Sequence, residues 1–503
     1  MKTTLLELKS TFTEYFKERE AEINGSLLAV LSGENLLFLG PPGTAKTMLA
    51  KSICQSIEGG NFFNYLLTSF STPEELFGPL SLKALENDEF RRKIEGCLPT
   101  AHLALLDEIF KASSAILNSL LTVLNERKYY NGTDIVDVPL LSVFGASNEL
   151  PEDDESLEAL YDRFLFRYRL SCIQDDENFR TLLFRTHETF TPTAGLSVSG
   201  ILKLRARAES VPVDEDVERI ITELRRGLLL REIEISDRRW KKIIRVLKVA
   251  ACSSERPTVD RTMVLLLQHM LWNLPEERET IRKTVFEFVV SGGINTEKLR
   301  LDTADLREAV NLALKNDLPA RIACDSCGEE FGLRQEVELH HSIHPDHSYR
   351  FMQEGSSRIY PYGNLVRELD SLYKNSGKAG TISPARRKVF ENEFEGLEAL
   401  VKSIKQRLGE ERQVLRDKME ANIWLSPLDR NEALLLHDSR YEDLSEIETL
   451  VEEIRKIPGL NLRPAKADTK VQSSDMTSDT ENSAGNFIKE LGSRFGFKST
   501  TRH

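Results

Sequence analysis

The apolar positions of the first half fall into short unbroken runs separated by stretches of helical period. In "ENLLFLGPPGTAKTMLAKSICQSI" one such run, residues 36–39, leads into a glycine turn and then an amphipathic helix. "HLALLDEIFKA" and "PLLSVFGASN" repeat the apolar run and end on Asp107, Glu108 and Asn148. Short apolar runs bounded by turn residues predict buried strands. Polar residues gathered at the same end of these strands predict a sheet that binds its ligand along the carboxyl edge. "DEDVERIITELRRGLLLR" and "SDRRWKKIIRVLKVAAC" then read as helices, with Ser236 as the N-cap of the second.

The pattern stays helical from Glu279 to about Lys315 ("TIRKTVFEFVV", "ADLREAVNLALKN"), interrupted by "SGGINT". Further on, Phe394, Leu397, Val401, Ile404, Leu408 and Leu415 follow a heptad seam that is flawed at Glu411. "YEDLSEIETLVEEIRKI" adds another amphipathic helix. Beyond Arg463 the chain is polar and serine-rich, which predicts disorder. The closing "FIKELGSRFGF" reads as a frayed tail or a short docking motif.

A length of 503 residues accommodates two to four domains. The net charge of −13 argues against a broad electrostatic grip on nucleic acid. Six cysteines are too few and too scattered for a disulfide framework. The first residues lack the apolar core of a secretory signal, and no apolar run is long enough to span a bilayer. These features predict a cytoplasmic protein.

The glycine turn has the context of a phosphate-binding loop, formed by Gly40, Pro41, Pro42, Gly43, Thr44, Ala45, Lys46 and Thr47. Gly40 and Gly43 let the backbone curl so that N–H groups face phosphate oxygens, and the following helix adds its positive end. Lys46 can reach the β- and γ-phosphates, and the Thr47 hydroxyl can ligate Mg²⁺. Ala45 stands where the general motif has glycine; right-handed helical angles there would suit alanine. Asp107 is a candidate Mg²⁺ ligand, Glu108 can polarise the attacking water, and Asn148 can orient that water or touch the γ-phosphate.

"GPPGTAK", "LLDEI", "ILNSLLTVLNER", "ASNELPE" and "SLEALYDRFLFR" resemble the MoxR branch of the AAA+ ATPases, and are most similar to its RavA subgroup. The resemblance covers roughly residues 19–272, about half of the chain. It implies an α/β class, an AAA+ P-loop αβα core with an α-helical lid, and Mg²⁺-dependent ATP hydrolysis. Asp107 and Glu108 become the Walker B acids and Asn148 becomes sensor 1. Arg163 becomes the arginine finger reaching a neighbouring subunit, with Arg167 as its rival. Arg238 becomes the sensor 2 arginine, contacting the γ-phosphate from the lid. The neighbouring Arg239, Lys241 and Lys242 are expected to form a solvated basic face. The family also implies a hexameric ring that remodels a protein client and cooperates with a von Willebrand factor A-domain protein. Residues 68–85 are the expected source of a pore-facing insertion, with at least two of Phe70, Phe77 and Leu80 in the core.

In the second half, Cys324, Cys327, His340 and His344 have the spacing C-x₂-C-x₁₂-H-x₃-H, with His341 and His347 as alternative ligands. This is Cys₂His₂ spacing and predicts Zn²⁺, with Phe331 and Val337 packing a small core. The acids of the stretch (Asp325, Glu329, Glu330, Glu336, Glu338, Asp346) face one base, Arg334, so a DNA-reading finger is not expected. The stretch also resembles the HNH endonuclease pattern, which would make His341 the base and Asn364 the orienting residue. A closing histidine is missing from "LVRELDSLYKNSGKAG", and the chain has no second CxxC. The expectation is therefore a structural zinc module, with an HNH-like nuclease or a nucleotide-gated adaptor as alternatives.

The organisation expected is a core over 1–190, a lid over 191–275, a first helical stalk part over 276–320, a zinc module over 321–385, a second stalk part over 386–463 and a disordered tail over 464–503. The C-terminal region is thus mostly helical and carries a small zinc-stapled module.

Overall fold

The computed structural model describes residues 1–150, 155–184, 190–352, 358–375, 382, 384–457, 460 and 462. The serine-rich tail and its closing "FIKELGSRFGF" lie outside the described residues, as do Pro151 and Glu152 of the motif "ASNELPE". The chain divides into two compact units, Met1–Asp305 with Gly396–Val451, and Leu306–Glu395 with Glu452–His503. Among the described residues no helix is long and apolar enough to cross a membrane.

The first unit is an α/β layer built on a parallel sheet. Its strands run in the order Phe62–Leu66, Leu103–Asp107, Ser142–Ser147, Asn35–Leu39, Phe164–Arg169. Every residue of Asn35–Leu39 is buried, because helices cover both faces of a parallel sheet. The strand Phe164–Arg169 is harder to read from sequence, since Arg167 and Arg169 interrupt its apolar run. Four parallel pairings place all the carboxyl ends on one edge of the sheet.

The helices Val198–Glu209, Glu215–Leu229, Asp237–Ser253 and Glu277–Ser291 follow the core. Val217, Ile220, Leu224 and Leu228 make the buried stripe of the second, a three-and-four spacing that turns one helix face inward. Ser236 caps Asp237–Ser253 by accepting from the Arg239 N–H, satisfying one of the otherwise unpaired first-turn donors.

The long helices Pro384–Ala421 and Pro427–Arg455 contribute their inner parts to this same unit. Residues 396–451 therefore group with the core unit. The reason is the linker between the two helices, which is buried and hydrogen-bonded. Trp424 donates from Nε1 to the Ala250 carbonyl and Ser253 Oγ, and its own carbonyl accepts from Asn24 Nδ2. Asn422 donates to Thr262 Oγ1 at 3.2 Å. The heptad flaw at Glu411 is an ion pair with Arg261 at 2.7 Å.

The second unit holds an antiparallel sheet in the order Glu330–Leu333, Asp317–Cys324, Ser348–Phe351, Ile359–Pro361. The helices Arg334–Ile343 and Tyr362–Asn375 pack on it. Ile322, Phe331, Val337, Tyr349, Leu365 and Leu369 belong to its small core.

Candidate functional site

The strand Asn35–Leu39 runs straight into the glycine turn. The Gly40 N–H donates to the Ser147 carbonyl at 3.0 Å. Gly40 has φ +148°, and a Cβ there would lie 2.3 Å from the Leu170 carbonyl oxygen, so only glycine fits. Thr44 Oγ1 donates to the Pro41 carbonyl at 2.9 Å and closes the loop on itself. Lys46 opens the helix Lys46–Gln55 and is buried, whereas Thr47 is exposed beside it. Its Nζ donates to the carbonyls of Gly40 (2.6 Å) and Pro41 (3.1 Å) and to Asn148 Oδ1 (3.4 Å). Burial lowers the Lys46 pKa below its ordinary value, and Asp107 and Glu108 partly oppose this.

Ala45 does not take the right-handed angles expected of it. It sits at φ +65°, ψ +19°, in the left-handed region where the general motif has glycine. A Cβ at such angles costs roughly 1–2 kcal/mol, and glycine returns part of that through unfolded-chain entropy. Ala45→Gly should therefore raise stability by roughly 0.5–1 kcal/mol in urea unfolding. A loss of stability would show that the alanine is unstrained.

The two acids sit where the strand Leu103–Asp107 ends. Glu108 is also left-handed, at φ +50°, and its N–H donates to Asp107 Oδ1 at 3.1 Å. Glu108 Oε1 accepts from Asn148 Nδ2 at 2.8 Å, and Oε2 pairs with Lys111 Nζ at 3.2 Å. Lys46, Asn148, Glu108 and Lys111 thus form one continuous polar chain along the carboxyl edge. Lys111 was not among the candidates from sequence; its signal was the three-residue spacing in "EIFK". The donor set suits a magnesium polyphosphate. It offers a buried ammonium, two adjacent carboxylates, the exposed Thr47 hydroxyl and open space around Gly43.

The candidate arginines lie elsewhere. Arg163 directly precedes the strand Phe164–Arg169, and its carbonyl accepts from Asn35 Nδ2 at 3.2 Å. Asn35 is the first residue of the strand whose far end carries the phosphate loop. Arg163 is therefore at the amino edge of the sheet. Burial lowers its pKa first and the nearby Arg238 second, while Asp162 opposes both.

Arg238 donates to Asn125 Oδ1 at 2.8 Å, near the end of the helix Ser114–Glu126. That helix begins a few residues after Glu108 and is about 20 Å long at 1.5 Å per residue. In this structure the lid arginine therefore lies away from its own phosphate loop. It stands with Arg163 instead.

Arg167 is fully buried. It donates to the carbonyls of Phe164 and Trp272 and to Asn273 Oδ1, and it lies over the Tyr161 ring at 3.9 Å. Burial, with Arg239 nearby, pulls its pKa to about 9. Such a side chain cannot reach another subunit, which removes Arg167 as the rival finger.

The solvated basic face is corrected too. Arg239 is buried and donates to Asn273 Oδ1 (2.7 Å) and Asp162 Oδ1 (2.9 Å). Lys242 pairs with the buried Glu34 at 2.9 Å, and Lys241 remains exposed. In the segment 68–85, Phe77 is core and stacks on Tyr129 at 5.2 Å, Leu80 is half-buried, and Phe70 is 90% exposed.

In the second unit the ligand atoms of Cys324, Cys327, His340 and His347 all lie within 4.8 Å of one another. Cys327 Sγ is 3.3 Å from His340 Nε2, and Cys324 Sγ is 3.4 Å from His347 Nδ1. Tetrahedral zinc with bonds of about 2.3 Å to sulfur and 2.0 Å to nitrogen needs separations of about 3.5 Å. His347, the alternative, therefore stands in this cluster where the spacing points to His344. His344 caps the helix Arg334–Ile343, and the turn closed by His347 N–H to the His344 carbonyl brings the later histidine back beside Cys324. The His344 ring stacks on His347 at 4.7 Å and lies against His340 at 5.0 Å.

His340 Nδ1 lies 2.9 Å from the Tyr349 hydroxyl, which leaves Nε2 free to ligate. The His341 ring stacks on Tyr362 at 3.7 Å, and its Nδ1 is buried without a hydrogen-bond partner among the described residues. Asn364 is exposed on the helix Tyr362–Asn375. A nuclease base would need an imidazole open to water, and the face of this one is covered by a tyrosine.

A family model described as the MoxR domain in the MoxR-vWA-beta-propeller ternary systems matches residues 3–191, and one described as an AAA lid domain matches residues 216–285. Among curated proteins, two from Methanocaldococcus jannaschii with no function assigned to them are similar to this chain. One is 39% identical over 315 residues, spanning 62% of this chain and 80% of that protein. The other is 42% identical over 284 residues, spanning 56% and 75%. A crystal structure of a candidate ATPase from Cytophaga hutchinsonii aligns at 19% identity and a TM-score of 0.47, covering 58% of this chain and 95% of that one.

Proposed function

Because the chain belongs to the MoxR family of AAA+ ATPases, we propose that it hydrolyses Mg·ATP in a ring whose active sites are each shared by two subunits. The observation that carries this reading is the separation of its parts. Lys46, Glu108 and Asn148 lie at the carboxyl edge of the sheet, and Arg163 and Arg238 lie at the amino edge. Neither candidate arginine of a single chain lies beside its own phosphate loop, and in this reading a second copy supplies the cation that meets the γ-phosphate from outside.

In this reading Lys46 and the loop N–H groups hold the β- and γ-phosphates. Thr47 and Asp107 would hold Mg²⁺, which would supply positive charge against the phosphate oxygens. Glu108 takes a proton from the attacking water, and Asn148 orients that water. Arg163 of one subunit meets the charge that develops on the γ-phosphoryl group in the next, and Arg238 joins it. Loss of that group changes what the two arginines touch, so hydrolysis becomes movement between neighbouring subunits. The work is remodelling of a protein client, with a von Willebrand factor A-domain protein as partner; the description of the matching family model supports that pairing. A hexamer is the ring size we propose.

Glu108→Gln tests the core of this reading. ATP binding should stay within about threefold while hydrolysis falls about 10²-fold, as expected when a general base is removed. Unchanged turnover would take Glu108 out of its role.

We also propose that Cys324, Cys327, His340 and His347 hold one Zn²⁺ as a closed structural site. Two thiolates and two imidazoles complete the tetrahedral set, leaving no position for a substrate. The zinc then links the turn between the strands Asp317–Cys324 and Glu330–Leu333 to the end of the helix Arg334–Ile343.

A further inference from the structure

We infer that Lys111 is a positioning residue that holds Glu108 in a resting pose, and that full turnover requires its release. The inference rests on the ATPase reading above. Lys111 ends the short turn Ile109–Lys111, which is closed by its own N–H donating to the Glu108 carbonyl at 2.9 Å. That turn directs the ammonium back onto Glu108 Oε2 at 3.2 Å. The other oxygen is taken by Asn148 Nδ2 at 2.8 Å. Both carboxylate oxygens are thus engaged by the protein's own donors.

The two donors differ in what can move them. Asn148 is joined through Oδ1 to Lys46, the group that the phosphates engage, so nucleotide binding acts on that donor directly. Among the described residues Lys111 has no such link to the phosphate loop. Nucleotide contacts with Lys46 and Asn148 therefore do not by themselves draw it off Glu108, and an oxygen that accepts from an ammonium is less available to a water proton.

The lysine side chain is 57% exposed and the glutamate 16% exposed. The cation is therefore the member that faces outward. Ion pairs with one solvated partner are weak, so a carboxylate brought to this surface from outside can draw Lys111 away. Lys111 would then be the point at which a neighbouring molecule raises the rate without touching the nucleotide.

Steady-state ATP hydrolysis by the full chain tests this, with Lys111→Met, Lys111→Gln and Lys111→Arg compared at equal assembly by size-exclusion chromatography. The two neutral variants should raise kcat about threefold to tenfold, with KM within about twofold. Lys111→Arg should keep the original kcat, because it restores the cation. Adding Glu108→Gln should erase the gain, since the gain must pass through that carboxylate. An active original chain whose kcat is unchanged or lowered in both neutral variants overturns the inference and leaves the ATPase reading standing. A chain that does not hydrolyse ATP at all overturns that reading, and the inference with it.

Discussion

Chains carrying Arg163→Ala should lose ATP turnover by about 10³-fold, the usual contribution of an arginine that meets phosphoryl charge from a second subunit. Binding of ATP should survive, because the residues of the phosphate loop lie at the other edge of the sheet. The sharper result comes from mixing. A chain with Arg163→Ala keeps its own Glu108, and a chain with Glu108→Gln keeps its own Arg163. Neither forms an active site alone, but their shared interface contains one intact copy of each. Random assembly of equal amounts makes about a quarter of the interfaces complete, so the mixture should recover about a quarter of the original rate. Absence of recovery in assembled mixtures would mean that the site is not shared. A normal rate in Arg163→Ala alone would remove that residue from the chemistry.

The second large effect concerns the second unit. Purified protein should carry about one zinc per chain by metal analysis, because ligands of this kind bind zinc with about 10 kcal/mol or more at neutral pH. Cys324→Ser combined with Cys327→Ser should lose the metal and open residues 306–395 to protease, since the small core around Phe331 and Tyr349 is otherwise modest. ATP hydrolysis should persist. Single histidine variants separate geometry from spacing. His347→Ala should lose zinc, and His344→Ala should retain it. The reverse outcome would restore the ligand set expected from the motif. A metal-free chain with this unit intact would end the structural-zinc reading.

These experiments divide along the line between local and long-range information. The strand beneath the phosphate loop, the acid pair after Leu106 and the cap at Ser236 are all legible in the chain. Each depends on neighbours within a few residues, where periodicity and turn chemistry act directly. The loop itself is legible for the same reason, since its glycines, lysine and threonine are consecutive.

The departures have a different origin. Alanine at position 45 favours a right-handed conformation, and the curl of the loop around Lys46 places it in the left-handed one. Arg239 lies on the same helix as the exposed Lys241, and a partner 77 positions away, Asp162, draws it inside. Arg163 and Arg167 look alike in "YDRFLFR", yet only the fold buries the second against Trp272 and leaves the first at the sheet edge.

Among the four clustered histidines, spacing alone selects His344. The turn that follows the helix brings His347 beside the cysteines instead, because a cluster is set by distance in space and not along the chain. The sequence by itself therefore determined the elements and the chemistry of the phosphate loop, through contacts made within a turn or two. Tertiary structure decided which arginines belong together, which histidine joins the cysteines and what holds Glu108, because those contacts form only after distant segments pack.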